Sequence, residues 1–310
     1  MKYQLLSSVC SVALIAAAGP AFADDTFSGV VMLDYGLGSI SGSNIGVAET
    51  LDDPQHISGK AKGYWPLSPN LHVQGDLFYE QSDDIAADGG EWGSSGDATT
   101  IGGALHLLHP FENRGRFGGA VSIWNNDIYV PDGDGKTDKT YGLVAAEGQF
   151  FGSDWTLTGQ AGYFGTLECS DYCIGSLDEG SYVRGKIRYF LRDNTSVSLE
   201  TLQLWGHIDD EDGGIFEGKS TKFSKWKLEA EHRFEASQFS GILGVSHEST
   251  ESGSIFSSSA DQDTVWVGVR FYYNQDTLRS HDKSGAELDT PTFGDAPETQ
   301  GILSYLYGAL

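Results

Sequence analysis

The sequence predicts an all-β protein: a transmembrane antiparallel up-and-down β-barrel of about twelve strands. Three observations carry this. Apolar and polar residues alternate with period two along most of the chain, as in strands with one apolar face. Short turns alternate with long polar loops, so the two rims of the sheet differ. Aromatic residues gather at the ends of the alternating segments, where a lipid–water boundary would hold them.

Residues 1–23 read as a cleaved secretory signal. They carry one charge, Lys2, then an apolar run from Val9 to Ala18 and an A-x-A-like site at Ala21-Phe22-Ala23. The mature chain is expected to begin at Asp24, with a barrel over 24–273 and a periplasmic tail over 274–310. Cys169 and Cys173 remain after export and are expected to form one disulfide, because exported proteins keep paired thiols oxidised.

The alternating segments are 27–35, 55–65, 71–80, 99–109, 116–124, 139–150, 155–164, 181–191, 196–205, 221–234, 239–248 and 263–273. The last is the clearest, with Val265, Val267, Val269, Phe271 and Tyr273 opposed to Thr264, Trp266, Gly268, Arg270 and Tyr272. About ten residues per segment suits a tilted strand crossing the hydrocarbon core, and a sheet there must close on itself to leave no unpaired edge. Candidate girdle aromatics are Phe27 and Tyr35, Tyr64 and Trp65, Phe78 and Tyr79, Phe150 and Phe151, Trp155 and Tyr163, and Tyr272 and Tyr273. The long loops hold most of the acid, including Asp83, Asp84, Asp88 and Glu91, and Asp209, Asp210, Glu211 and Asp212.

Charge excludes one class of function. With 44 acidic against 19 basic residues, the formal charge is −25, and such a field repels nucleic acid. No apolar run is long enough for a spanning helix.

If the apolar faces meet lipid, the polar faces line the lumen. They supply Lys60, Lys62, Arg184, Lys186, Arg188, Lys225, Lys227, Arg233 and Arg270, against Asp76, Glu147, Glu200, Glu229 and Glu231. The lumen is therefore expected to be net basic behind acidic loops, and a ladder of bases lowers the barrier to anions.

The residues Trp266-Val-Gly268-Val-Arg-Phe271-Tyr-Tyr273 resemble the assembly signal of porin-like outer-membrane β-barrels of Gram-negative bacteria, with a Gly in the last strand and two aromatics at its end. The tail from Asn274 resembles extensions of alphaproteobacterial barrels. The resemblance implies outer-membrane localisation, assignment of Gly268, Phe271 and Tyr273 to assembly, and passive diffusion of small hydrophilic, anionic solutes. The implied partners are outer-membrane lipids and lipopolysaccharide, the assembly machinery and the solutes, with no cofactor.

Two other functions compete. One is a structural or adhesive barrel that presents acidic loops. The other is a lipid hydrolase with His247 as base and Ser249 as nucleophile, two positions apart on one face. His56-Ile-Ser58 repeats that spacing elsewhere, so the pattern is cheap. Asp132-Gly-Asp134-Gly-Lys-Thr-Asp138 resembles half of a Ca²⁺ loop but lacks the bidentate Glu, so no metal site is expected.

Overall fold

The computed structural model describes residues 27–43, 55–83, 97–112, 114–129, 136–170, 177–208, 219–252 and 258–291. Twelve strands follow one another: β1 (Ser28–Ser43), β2 (Gln55–Ser68), β3 (Leu71–Asp83), β4 (Asp97–Phe111), β5 (Gly115–Tyr129), β6 (Lys136–Phe151), β7 (Trp155–Ser170), β8 (Leu177–Arg192), β9 (Thr195–Ile208), β10 (Lys219–Arg233), β11 (Phe239–Ser252) and β12 (Ser258–Tyr273). Each pairs antiparallel with its chain neighbours, and β1 pairs with β12 from Gly29↔Tyr273 to Ser43↔Ser259, closing the barrel. One short helix, α1 (Leu278–Ser284), follows.

The strands run further toward the long-loop rim than the alternation indicates. β1 extends to Ser43 rather than Tyr35, and β11 to Ser252 rather than Glu248. Beyond the hydrocarbon core both faces of a strand can be polar, so hydrogen bonding continues after the apolar signal stops.

Outward positions form an apolar belt. Leu77, Leu105, Ile123, Leu157, Ile187, Leu199, Leu243 and Val267 all stand exposed, with Ile101 and Val144 at 58%. In water this would be an apolar patch far larger than soluble proteins tolerate, so the belt suits an apolar surrounding. Aromatics border it on both sides. At the short-turn rim Phe27 lies 5.0 Å from Trp65 and 5.7 Å from Tyr273, Phe150 lies 5.7 Å from Trp155, and Phe239 lies 5.1 Å from Phe271. Toward the long loops stand Tyr35, Tyr163, Trp205 and Trp226, all exposed. From Phe27 to Tyr35 the chain crosses one apolar band of the length a tilted strand needs.

Four expected girdle aromatics face inward instead: Tyr64, Phe78, Tyr272 and Phe151, whose ring lies 5.9 Å from the buried Arg116 guanidinium. Tyr64, Phe78 and Tyr272 are buried at 3%, 5% and 0% exposure. They sit next in sequence to outward aromatics, and period two sends one of each adjacent pair to the other face. Phe78 joins Trp124, Tyr141, Phe164, Tyr182, Leu204 and Phe223 in an apolar cluster inside the barrel. Trp124 stacks on Tyr141 at 5.3 Å. Gly102 makes room for it: a Cβ there would lie 2.5 Å from Trp124 Cβ and 2.6 Å from the Phe78 ring.

Beyond β12 the chain turns back into the barrel from the short-turn end. Asn274 has φ 56°, a left-handed conformation that Asn tolerates, and its amide donates to Phe27 O at 3.0 Å. Thr277 caps α1, accepting from Ser280 N at 3.0 Å while Ser280 Oγ accepts from Thr277 N at 3.1 Å. Arg279 ties the helix to two turns through Asp154 at 3.2 Å and Asp193 at 3.3 Å. Leu278 packs among Val30, Met32, Phe190 and Tyr272. Ala286 and Leu288 pack against Tyr64 and Leu108.

Candidate lumen site

Period two fixes which side chains reach the lumen. On β8, Tyr182, Arg184, Lys186, Arg188 and Phe190 face inward, and on β10 Phe223, Lys225, Lys227, Glu229, Glu231 and Arg233 do. Lys60 and Lys62 on β2 and Arg270 on β12 share the same inner surface.

These bases are not surrounded by water alone. Lys60 pairs with Glu80 at 3.0 Å and Lys225 with Glu248 at 2.5 Å. Arg184 grips Glu200 with two hydrogen bonds, at 2.8 and 2.7 Å. Arg270 holds Glu231 at 2.7 Å and Glu229 at 2.8 Å. Lys227 lies 3.7 Å from Glu229 and 4.6 Å from the centre of the Trp266 ring. Arg233 turns toward the β10–β11 turn and donates to Ser237 O at 2.8 Å. Asp76 and Glu147 flank His106, at 3.2 Å from Nε2 and 2.8 Å from Nδ1.

The tail supplies the remaining acids. Arg188 holds Glu287 at 2.7 Å and Asp282 at 3.2 Å. Thr156 also donates to Asp282. Asp289 accepts from Lys62, from Arg184 at 3.2 Å and from Lys186 at 3.3 Å. The expectation of a net basic lumen is thus corrected. Glu80, Glu248, Asp34 and three tail carboxylates join the wall acids, and the bases are largely matched.

A cavity of about 120 Å³ remains on the β1–β2 and β8–β12 side. Its lining includes Lys60, Arg184, Lys186, Lys225, Lys227 and Arg270, with Asp289, Thr290 and Pro291 of the tail. The volume is room for a few waters or a small solute group.

The electrostatics of the tail follow from burial against these bases. Burial pushes the Asp289 carboxyl up, but Lys62, Lys186 and Arg184 outweigh it and hold the group well below the usual carboxylate range. Burial likewise raises Glu287, and Arg188 and His281 bring it down to about 2. His281 lies edge-on to Tyr272 at 4.6 Å and 3.6 Å from Glu287. Burial lowers its imidazole to about 4, against the pull of Glu287. Burial raises Asp282, with Arg188 opposing.

These directions predict a tail that loosens in acid. A group whose docked pKa is lowered favours docking above its free value and loses that contribution as pH falls toward the docked one. His281 loses it between its ordinary 6.5 and about 4. Glu287 loses it between 4.5 and about 2, and Asp289 lower still. Asp282 works in the opposite sense, since a raised carboxyl favours docking as it protonates. Moving from about pH 7.5 to about pH 4.5 should therefore reduce amide-exchange protection of 277–291 by roughly tenfold or more, after correction for intrinsic exchange, relative to β5 and β6. Unchanged relative protection would contradict the assignment, and His281→Gln should remove most of the effect.

The other predicted residues are placed as follows. Gly268 faces the lumen, where the Asp34 carboxylate fills the space a Cβ would need. Phe271 and Tyr273 face outward in the short-turn girdle. Cys169 lies on β7 opposite Lys139 of β6, and Cys173 is outside the described residues. Residues 1–23, the loop acids from Asp84 to Glu91 and from Asp209 to Asp212, Asp132, Asp134 and the tail beyond Pro291 also lie outside them. His247 faces outward, bonded through Nδ1 to Asp263 at 2.9 Å and stacked on Trp226 at 6.0 Å. Among the described residues Ser249 forms no hydrogen bond with His247. No cluster of potential metal ligands occurs among the described residues.

The sequence reading missed Gln74, Arg116 and the tail acids as lumen groups. Gln74 and Leu288 exchange two hydrogen bonds, and Arg116 donates to Gly285 O at 2.9 Å. Gln74 and Arg116 each stood on an inward face that the alternation already defined, so their orientation was available. Their partners were not.

No protein-family model matches the chain, and no curated protein matches it by sequence. Solved structures do match. The COG4313 outer membrane channel from Pseudomonas putida F1 aligns over 81% of this chain and 97% of its own, at 11% identity and a TM-score of 0.53. The translocator domain of autotransporter NalP from Neisseria meningitidis aligns over 88% and 98%, at 11% identity and a TM-score of 0.48. The Pseudomonas putida toluene transporter TodX aligns over 83% and 92%, at 7% identity and a TM-score of 0.45. The likeness to the first shows a shared barrel fold.

Proposed function

We propose that this chain is an outer-membrane channel for passive diffusion of small hydrophilic solutes, with bases that draw anions into its lumen. A cleaved signal at 1–23 delivers it, and the short-turn rim faces the periplasm. The chain's own residues 277–291 narrow the lumen from that side. The observation that carries this reading is the polar cavity inside a barrel with an apolar exterior, lined by bases and acids together, where Arg184 and Lys186 already hold a carboxylate. A polar lumen behind an apolar exterior is what an aqueous path across a membrane requires. The bases guide charge, and no bond is made or broken.

Single-channel recording of the refolded chain in a planar bilayer tests it. The expected result is discrete current steps with a reversal potential showing anion preference in a salt gradient. Arg184→Ala with Lys225→Ala should reduce that preference. Absence of steps from a folded barrel would overturn the proposal. One observation favours a second reading, action on lipid: the His247–Asp263 pair on the outer face. Ester hydrolysis that disappears in Ser249→Ala would transfer the function to it.

A further inference from the structure

The segment Leu288–Thr290 does not merely fill space. Gln74 donates to Leu288 O at 2.6 Å and accepts from Leu288 N at 3.3 Å. Lys62 donates to the same carbonyl at 3.0 Å and also reaches the Asp289 carboxylate. Arg184 donates to Asp289 O at 2.7 Å and to its carboxylate at 3.2 Å, and Lys186 completes the set at 3.3 Å. One carboxylate thus meets three cations, while both peptide carbonyls and one peptide N–H beside it are paired.

The wall does not neutralise this cluster by itself. Arg184 has Glu200, but among the described residues Lys62 and Lys186 form ion pairs with Asp289 alone. Glu200 and Glu229 act on Lys186 from beyond ion-pair distance, so the close counter-charge of both ammonium groups is Asp289, and a charge in such a place without a close partner is expensive. Asp289 is also accessible: its side chain keeps 24% of its exposure and lines the cavity. A solute entering that cavity meets the carboxylate's own position.

We propose that Lys62, Gln74, Arg184 and Lys186 form a binding site in the lumen for small acidic peptides, which Leu288–Thr290 occupies in cis and an entering peptide takes in its place. The class follows from the contacts. A simple carboxylate would satisfy the three cations and leave Gln74 and the carbonyl contacts unused, whereas an acidic residue within a peptide uses them all. The inference rests on the channel reading, because the ligand must reach the lumen.

The test uses the full chain carrying Asp289→Asn, which takes the tail's carboxylate out of the site and leaves every wall residue intact. The probe is a synthetic peptide copying residues 285–291, with a control peptide carrying Asn in place of its Asp, and acetate as a second control. Binding is read twice, as blockade of single-channel current and as anisotropy of labelled peptide with the protein in detergent micelles. The acidic peptide should bind at a concentration about tenfold or more below that of the Asn peptide, and well below acetate. Adding Arg184→Gln should abolish this preference, and the native chain should bind more weakly than Asp289→Asn. Equal binding of both peptides, or binding indifferent to Arg184→Gln, would overturn the proposal. Acetate binding as well as the peptide would also overturn it, in favour of an unspecific carboxylate site. Preferential binding in micelles without current would refute the channel and keep the site. Current without preferential binding would do the reverse.

Discussion

Arg270→Met is expected to lower the stability of the folded barrel by about 3–5 kcal/mol, the range for removing one partner from a buried ionic cluster. Arg270 is the cation between Glu229 and Glu231, and Tyr272 also donates to Glu231 at 2.6 Å. Both glutamates belong to β10, so they cannot leave the lumen without opening the wall. Removing the guanidinium leaves their charge where water is scarce. Lys227 compensates only in part, because it lies 3.7 Å from Glu229 and is itself a third exposed. Equilibrium unfolding by urea in micelles, followed by tryptophan fluorescence, measures the loss. Arg188→Met provides the contrast. Two of its partners, Asp282 and Glu287, are on the tail and can undock into water. It should therefore release the tail with a much smaller fall in barrel stability. Equal destabilisation by the two substitutions would show that the tail is part of the barrel's cooperative unit.

The faces of the strands were legible because a closed barrel with an apolar exterior and a polar lumen sorts them by period two. Val265, Val267 and Val269 form part of the apolar exterior, and their neighbours Trp266 and Arg270 are then committed to the lumen. The inward bases were legible for the same reason. The matching acids were less so. Glu80 and Glu248 stand at the ends of the predicted segments, where the apolar signal fades although pairing continues to Asp83 and Ser252. The tail was opaque. Asp282, Glu287 and Asp289 lie in a polar stretch with no period of its own, and such a stretch reads as solvated. Only the three-dimensional closure of the barrel brings them opposite Arg188, Lys62 and Arg184.

The triple substitution Asp282→Asn, Glu287→Gln and Asp289→Asn should convert the tail from docked to largely free. Ordering a chain costs about 1–2 kcal/mol per residue, so docking residues 277–291 needs large opposing contributions. Leu278 and Leu288, each 1% exposed, contribute about 1.5–3 kcal/mol apiece, which is far from enough. The charged contacts must carry much of the remainder. Hydrogen bonds to charged groups are worth about 1.5–3 kcal/mol each, and Glu287 and Asp289 accept them from Arg188, Lys62, Arg184 and Lys186, so neutralising these two removes about 5 kcal/mol or more, while burial of Asp282 offsets its own contacts. A change of about 5.5 kcal/mol is what inverts a population from 99:1 to 1:99. Undocking also returns Lys62, Arg184 and Lys186 to lumen water, so no buried cation is stranded in the free state. Trypsin reads the outcome, since Arg279 and Lys283 lie in the docked segment and Arg279 is held by Asp154 and Asp193. Cleavage after these residues should be slow in the native chain and faster by on the order of a hundredfold or more in the triple variant, while the strands stay intact. Single-channel conductance should rise in parallel. If cleavage and conductance both match the native chain, the acids do not hold the tail, and its apolar contacts with Tyr64, Leu108 and Tyr272 must be worth more than their area indicates.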